Sequence, residues 1–252
     1  MRKTVFITGA TSGIGKACAE KFAENNFNII VTGRRNELLQ HLKIGLEEKY
    51  KIDVTALCFD VQNKTDVFDA INNLPEDKKN IDILINNAGL ALGRDAFDEA
   101  DITDWETMMN TNVNGLLYVS KALMPALKKS KGHIINIGSI AGKEVYENGN
   151  GYCASKFAVD AISKSMRIDL LKHDIKVTSI NPGAVETEFS IVRFKGDKTK
   201  ADAAYKGFKP LTPNDIAETI FYCATLPAHV CINDLTITCI QQANASIFLK
   251  NT

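Results

Sequence analysis

The chain alternates short apolar runs with amphipathic runs from its beginning almost to its end. The apolar runs, such as KTVFITG, FNIIVTG and HIINIGS, are rich in Val and Ile. The runs between them, such as NELLQHLKIGLEEKY, repeat apolar residues at helical spacing. Strands that alternate with helices form parallel sheets, and continuous apolar strands indicate that helices cover both faces. We therefore predict an α/β fold, a doubly wound parallel sheet of about seven strands with helices on both faces.

No linker divides this pattern. Residues 1–252 contain no Pro-, Gly- or Ser-rich connection, no shift in composition and no internal repeat. We therefore predict a single domain. One segment is less regular, because residues from Ala184 to about Lys209 follow the sixth predicted strand without a clear period. Segments at this end of such a sheet can close over a bound ligand, so we predict that residues 184–209 form a substrate lid.

The composition argues against nucleic-acid and membrane partners. The chain has 30 basic and 30 acidic residues, with 45% hydrophobic and 24% charged residues overall. It therefore lacks the excess charge that would attract a nucleic acid or a lipid surface. The N-terminal run MRKTVFITGA is too short for a signal peptide or a spanning helix. We expect a cytoplasmic protein without nucleic-acid or membrane partners.

The cysteines predict neither a disulfide nor a metal site. None forms a C-x-x-C pair, and no histidine stands at ligand spacing beside one. In a chain without a signal peptide, scattered cysteines are typically buried, reduced thiols. The four histidines lie outside the motifs described below, and we expect them to be surface or hydrogen-bonded residues. The cysteines are Cys18, Cys58, Cys153, Cys223, Cys231 and Cys239, and the histidines are His41, His133, His173 and His229.

A glycine-rich loop follows the first predicted strand. The sequence TGATSGIG, residues 8–15, places Gly9, Gly13 and Gly15 between that strand and the first helix. Glycine allows a tight turn and lets a pyrophosphate approach the backbone, and the helix N-terminus offers amide donors. The spacing G-x-x-x-G-x-G differs from the common G-x-G-x-x-G fingerprint. The strand–loop–helix context nevertheless favours a dinucleotide site over a plain turn.

A second motif places a phenol and an ammonium group four residues apart. In NGYCASKFAVDAI, residues 150–162, the apolar residues keep helical spacing, so Tyr152 and Lys156 share one face of a predicted helix. The helix N-terminus and the nearby cation both favour the phenolate, which predicts a lowered pKa for Tyr152. Such a phenol can act as a general acid or base near neutral pH. The pair alone is also compatible with a surface tyrosine and a solvated lysine.

Further motifs give the chain a resemblance to the short-chain dehydrogenase/reductase superfamily. The set comprises TGATSGIG, NNAG at 86–89, Ser139 thirteen residues before Tyr152, YCASK at 152–156 and NPG at 181–183. The order and spacing of these motifs cover the whole chain. The resemblance implies a Rossmann-type fold, a nicotinamide cofactor, and hydride transfer to or from a small-molecule substrate.

The resemblance also implies roles for individual residues. Tyr152 would be the general acid/base, and Ser139 would bind the substrate oxygen. Lys156 would hold the nicotinamide ribose and lower the pKa of Tyr152. Asn112, in TNVNG, would support a proton-relay water. The cofactor would contact Gly9, Thr11, Ser12, Gly13, Ile14 and Gly15 in the glycine loop, Asp60, Val61, Asn87, Ala88 and Gly89 on the adenine side, and Tyr152, Lys156, Pro182, Gly183, Val185 and Thr187 on the nicotinamide side.

Two arginines predict NADP as the cofactor. NAD-binding chains of this fold place an acid about 20 residues after the glycines, where it binds the ribose 2′-hydroxyl. Here the second strand ends in TGRR, and no acid occurs between Asn28 and Asn36. Arg34 and Arg35 are placed to bind a 2′-phosphate instead. The alternative is that both are solvated charges at the edge of the sheet.

Within the superfamily, the chain resembles the NADP-dependent 3-hydroxy acid dehydrogenases, which act on serine, allo-threonine and similar acids. The stretches that carry this resemblance include NNAGLALG, DWETMMNTNVNGLLY, GHIINIGSIAG and NPGAVETEFSIVRFKGD. The chain departs from the branch at Gly151, where a branched residue usually precedes the tyrosine. This departure alters the predicted wall of the substrate pocket.

A short 3-hydroxy acid requires a cation for its carboxylate near the catalytic groups. Lys156 is committed to the cofactor ribose, so another residue is needed. The predicted lid carries Arg193 and Lys195. A guanidinium binds both carboxylate oxygens, so we predict Arg193 as the substrate-binding cation, with Lys195 second. The alternative is that both are surface charges on a mobile lid.

Other functions and the assembly follow from the same resemblance. A broad-specificity carbonyl reductase or a 3-oxoacyl-acyl-carrier-protein reductase would use the same four catalytic residues. A non-catalytic nucleotide sensor would lack some of them, and this chain keeps all four. The resemblance further implies a homotetramer in which helices at Asp104–Lys129 and Tyr152–Lys172 pack across a two-fold axis.

Overall fold

The computed structural model describes residues 2–251. Seven strands form one sheet. They are Thr4–Ile7 (β1), Asn28–Gly33 (β2), Val54–Cys58 (β3), Ile83–Asn86 (β4), His133–Ile137 (β5), Lys176–Pro182 (β6) and Asp234–Ile237 (β7). The strand order is β3-β2-β1-β4-β5-β6-β7, and every neighbouring pair is parallel. The predicted doubly wound parallel sheet is confirmed.

Nine α-helices lie in the described part of the chain. They are Gly13–Glu24 (α1), Asn36–Tyr50 (α2), Lys64–Asn72 (α3), Ile102–Met109 (α4), Gly115–Ser130 (α5), Asn150–Leu170 (α6), Phe189–Arg193 (α7), Lys198–Ala203 (α8) and Pro213–Thr225 (α9). Helices α1, α2 and α9 cover one face of the sheet, and α3, α5 and α6 cover the other. The short helices α7 and α8 lie within the segment predicted as a lid.

The two faces of the sheet have separate hydrophobic cores because strand residues alternate in direction. In β1, Val5 and Ile7 pack with the α1, α2 and α9 side, whereas Phe6 packs with the α3 and α5 side. All three side chains are fully buried. An all-parallel sheet requires this double cover, which explains why its strands read as continuous apolar runs.

One predicted helix is interrupted. The sequence suggests a single helical segment from Asp104 to about Lys129, but Asn110–Asn114 form a π-helical turn between α4 and α5. Such a turn contains one extra residue per hydrogen-bonded ring and often occurs at functional sites. Asn112, a predicted catalytic residue, lies in the middle of it.

The cysteines of residues 2–251 form no disulfide. The six cysteines are free; four are buried, but Cys58 is exposed and Cys231 is half-buried, which corrects the expectation for these two. In this range, no helix has the length and apolarity needed to cross a bilayer. Within the same range, no three His, Cys, Asp or Glu side chains are grouped so that they could hold a metal ion.

His133 is a buried, hydrogen-bonded histidine, but only one of its two ring nitrogens has a partner within residues 2–251. It is buried at the start of β5, and its Nε2 lies 2.7 Å from the Thr178 hydroxyl. Within residues 2–251, its Nδ1 has no hydrogen-bond partner. Burial, aided by the charge of Lys176, lowers its pKa from 6.5 to about 3.

We predict that His133 reduces stability in acid. The unfolded chain protonates this histidine below pH 6.5, whereas the folded ring resists protonation down to about pH 3. Between these values the unfolded state binds more protons, so the free energy of unfolding falls as the pH is lowered, by up to about 1.4 kcal/mol per pH unit. Urea unfolding of His133→Gln, measured from neutral pH into acid, should show a shallower dependence. His41→Gln, at an exposed position in α2, is the control, and equal slopes for all three proteins would contradict the prediction.

Candidate active site

The predicted functional residues meet at one edge of the sheet. The strand order reverses between β1 and β4, which is where open parallel sheets form a ligand crevice at their carboxyl ends. The glycine loop follows β1. The NNAG motif begins with the last residue of β4 and continues into the loop after it. Ser139 follows β5, and Gly183 follows β6. The fold therefore brings together four motifs that are far apart in the sequence.

The loops after β1 and β4 are in close contact. Gly9 has a φ of +65°, and a Cβ atom there would lie 2.9 Å from the Cα of Ala88. The Asn87 amide donates hydrogen bonds to the carbonyls of Thr8 at 2.8 Å and Gly9 at 3.0 Å. Asn87, predicted as a contact on the adenine side, therefore fixes the position of the glycine loop through these two hydrogen bonds. A glycine at position 9 is required both for its backbone angle and for this approach.

The two arginines after β2 lie on the predicted adenine side. Arg35 donates to the Thr11 hydroxyl from Nη2 at 2.8 Å and Nε at 3.1 Å, and to the Ser12 hydroxyl at 3.0 Å. Arg34 forms an ion pair with Asp60 at 3.3 Å. The Arg35 guanidinium thus borders the glycine loop, and the Arg34 guanidinium borders the loop after β3. Two guanidinium groups in this position are suited to bind a phosphorylated ribose.

The other predicted cofactor contacts lie in or next to the chain segments that follow β1, β3, β4 and β6. Gly13 and Gly15 begin α1, and an added Cβ at Gly13 would lie 3.3 Å from the side chain of Thr187. Val61 is buried in the core on the α3 and α5 side of the sheet. The backbone N–H of Gly183 donates to the carbonyl of Ile237 at 2.8 Å. The remaining predicted contacts, Ile14, Gly89, Pro182 and Val185, lie in the same loops or at their ends.

Tyr152 and Ser139 are adjacent in the crevice. Tyr152 is the third residue of α6, near its N-terminus as predicted, and is 9% exposed. The Ser139 side chain lies beside its phenol and favours the charged form, which acts to lower the Tyr152 pKa. The Ser139 hydroxyl accepts from the backbone N–H of Ala141 at 3.0 Å, which fixes its position. A substrate oxygen that reached both hydroxyls would be held by two groups, one of which could exchange a proton with it.

The predicted lowering of the Tyr152 pKa is wrong. Burial raises the pKa of Tyr152, and the opposing effects of the nearby Ser139 side chain and the Arg193 charge are smaller. The Lys156 ammonium donates to the carbonyl of Ile137 at 2.9 Å and lies 5.9 Å from the centre of the Tyr152 ring. Burial also lowers the pKa of Lys156 from 10.5 to about 8. Desolvation opposes both charged forms, and for Tyr152 it outweighs the neighbouring groups that favour the phenolate.

Asn112 is held tightly in the π-helical turn. Its amide donates to the carbonyl of Leu90 at 2.8 Å and to the Ser155 hydroxyl at 2.9 Å. Its side-chain oxygen accepts from the N–H of Leu90 at 2.8 Å. The side chain thus ties the π-helical turn to α6 and to the segment after β4. This arrangement places Asn112 beside the predicted catalytic residues with its side-chain amide already bound to the protein.

Helix α7 lies over Tyr152, the predicted general acid/base. The ring of Phe189 packs edge-on against Tyr152, with 5.5 Å between ring centres. The Arg193 guanidinium lies 5.6 Å from the centre of the Tyr152 ring and 5.5 Å from that of Tyr146. Lys195, the second predicted candidate, instead pairs with Asp104 at 2.9 Å. The structure therefore brings Arg193, and not Lys195, to Tyr152.

Sequence reasoning missed several residues of the site. Tyr146 lies in a loop without a motif, and no local signal links it to Arg193. Trp105 lines a pocket together with Tyr152 and Arg193, and its Nε1 donates to the Asn150 side chain at 2.8 Å. A Cβ at Gly151 would lie 2.5 Å from Trp105 Cδ1, so the glycine allows the indole to approach α6. In the sequence, the contact between Trp105 and α6 was indicated only by Gly151, a glycine where a branched residue usually precedes the tyrosine.

Comparison with known proteins agrees with this geometry. Residues 3–198 match the family model for short chain dehydrogenase. The chain is 45% identical over 245 residues to the NADP-dependent 3-hydroxy acid dehydrogenase YdfG of Salmonella typhi, covering 96% of this chain and 97% of that protein. It is 41% identical over 245 residues to sulfoacetaldehyde reductase 2 of Chromohalobacter salexigens, covering 96% of each chain.

A solved structure shows the same fold. The closed form of serine dehydrogenase complexed with NADP⁺ has a TM-score of 0.91 and 41% sequence identity, and the match covers 99% of this chain and 100% of that chain. The family match covers most of the chain, and both the fold and the predicted motifs agree with it. The chain therefore belongs to the short-chain dehydrogenase family.

Proposed function

We propose that the protein transfers a hydride between NADP(H) and a short 3-hydroxy acid such as serine or allo-threonine. The observation that carries the proposal is the position of Arg193, whose guanidinium lies 5.6 Å from the centre of the Tyr152 ring. A carboxylate near the reacting carbon would meet this cation while the hydroxyl meets Tyr152 and Ser139. The similarity to 3-hydroxy acid and serine dehydrogenases supports the same substrate class.

The glycine loop, Arg34 and Arg35 form the proposed NADP site. Gly9 and Gly15 let the glycine loop pack tightly against itself and against Asn87 and Ala88, and the N-terminus of α1 offers amide donors for a pyrophosphate. Arg35 borders this loop through Thr11 and Ser12, where a 2′-phosphate would lie. Bound NADP supplies the hydride acceptor or donor, and the protein supplies position and electrostatics.

In the proposed reaction, one proton moves between the substrate oxygen and the Tyr152 hydroxyl. In oxidation, Tyr152 takes the proton of the substrate hydroxyl while Ser139 holds the oxygen, and in reduction Tyr152 returns it. Because burial raises its pKa, Tyr152 is protonated at neutral pH, which suits the acid that reduction requires. Phe189 and Arg193 cover the phenol and limit access of water. Lys156, buried within α6 four residues after Tyr152, would hold the nicotinamide ribose.

A sulfonate substrate is the second candidate. The planar guanidinium of Arg193 can bind a sulfonate through two oxygens as well as a carboxylate. The 41% identity to sulfoacetaldehyde reductase 2 of Chromohalobacter salexigens favours this alternative. Values of kcat/KM for sulfoacetaldehyde and for 3-oxo acids of similar size, measured with NADPH, distinguish the two substrate classes.

We expect Tyr152→Phe to lower kcat by 10²-fold or more, because a positioned acid/base contributes at least about that factor. Binding of NADP⁺, measured by calorimetry, should be retained because only the hydroxyl is removed. Tyr222→Phe removes a hydroxyl from an exposed position on α9 and serves as the control. If Tyr152→Phe keeps more than about a tenth of the wild-type kcat, Tyr152 is not the general acid/base.

Arg193→Ala should lower kcat/KM for hydroxy acids by an amount equivalent to a few kcal/mol, as expected when a buried charge pair loses one member. Neutral alcohols should be spared because they lack the anionic group. Lys198→Ala, at an exposed position in the same segment, is the control. Equal losses for acids and neutral alcohols would indicate a defect in the lid or in folding. No loss would place the anion site elsewhere.

The proposed homotetramer is supported by exposed apolar side chains on the two predicted interface helices. Met109 and Leu117 are exposed on the α4–α5 segment, and Phe157 and Ile168 are exposed on α6. Rows of exposed apolar residues on neighbouring helices are typical of an association surface. We expect light scattering to show four copies at micromolar concentration and Phe157→Asp to reduce this number. A monomer of the unmutated protein would refute the assembly.

A further inference from the structure

The segment over the active site is attached to both walls of the crevice. On the cofactor wall, the carboxylate of Glu188, which precedes α7, accepts a hydrogen bond from Arg35 Nη1 at 3.0 Å. On the opposite wall, Lys195 pairs with Asp104, and the N–H of Gly93 donates to the carbonyl of Arg193 at 3.0 Å. Residues 188–195 therefore span the crevice, and Glu188 forms the attachment on the nucleotide side.

The Glu188 contact occupies the proposed 2′-phosphate site. The Nε and Nη2 groups of Arg35 bind the hydroxyls of Thr11 and Ser12, while Nη1 binds Glu188. Within residues 2–251, Glu188 is the one charged hydrogen-bond partner of Arg35. A hydroxyl can turn to donate to a phosphate, whereas a carboxylate can only accept and would repel the dianion. A 2′-phosphate and Glu188 therefore cannot both bind this guanidinium favourably.

We propose that Glu188 competes with the 2′-phosphate of NADP(H) for Arg35, so that binding of this phosphate releases the lid from the nucleotide wall. The inference rests on the proposed function, in which Arg35 binds the 2′-phosphate. NAD(H) carries no such phosphate and leaves the Glu188 contact intact. Glu188 thus lowers the affinity for NADP(H) but not for NAD(H). When NADP(H) binds, the segment that carries Arg193 loses its attachment to Arg35.

Calorimetric titration of the full chain with NADP⁺ and NAD⁺ tests the competition. Glu188→Gln should bind NADP⁺ about two- to fivefold more tightly, the range expected for losing an exposed ion pair, with NAD⁺ binding unchanged. Glu186→Gln is the matched control, because this exposed acid lies two residues away and has no recorded ion pair within residues 2–251. Equal tightening in both variants would overturn the proposal, because it would indicate a general charge effect.

A double-mutant cycle with Arg35→Leu separates the inference from the function on which it rests. In the Arg35→Leu background, Glu188→Gln should no longer affect NADP⁺ binding. If Arg35→Leu keeps the full preference for NADP⁺ over NAD⁺, Arg35 is not the phosphate site and the inference falls with that assignment. If Arg35→Leu loses the preference but Glu188→Gln leaves NADP⁺ binding unchanged or weakens it, the phosphate site stands and the competition is refuted.

Discussion

The structure depends on the close approach of two loops at the switch point of the sheet. All strands are parallel, so the loops after β1 and β4 leave the same edge and meet between neighbouring strands. Contact is possible because Gly9 has no side chain, and Asn87 secures it through two hydrogen bonds to the glycine loop. The crevice formed there receives Ser139 from the loop after β5 and is closed by the segment after β6. The strand order and the packing of these two loops thus determine where the predicted site lies.

Burial sets the chemical character of this crevice. Tyr152 and Lys156 lie on one helix face, yet desolvation raises the pKa of the phenol and lowers that of the ammonium. The segment that contains α7 contributes to this desolvation through Phe189, and through Arg193 it adds a cation beside Tyr152. Because Glu188 of the same segment pairs with Arg35, one short piece of chain contacts both the Tyr152 side and the glycine-loop side of the crevice.

Local sequence patterns determined the architecture and the core of the site. Strands and helices follow from apolar periodicity, which depends only on neighbouring residues, and the predicted sheet was confirmed. The glycine spacing after β1 indicated a nucleotide loop, and the four-residue interval placed Tyr152 and Lys156 on one helix face. Arg34 and Arg35 indicated NADP because their position after β2 is fixed by the fold. Each of these inferences concerns residues close in sequence or attached to a predicted strand end.

Only the tertiary structure decided the features that depend on distant contacts and burial. Glu188 and Arg35 are 153 residues apart, so no spacing rule relates them. Lys195 was a candidate for the substrate anion until the fold paired it with Asp104. The pKa direction of Tyr152 was mispredicted because a sequence shows neighbouring charges but not the solvent that folding removes. The sequence by itself thus determined which groups are present, whereas packing between remote segments decided which groups meet and how strongly water is excluded from them.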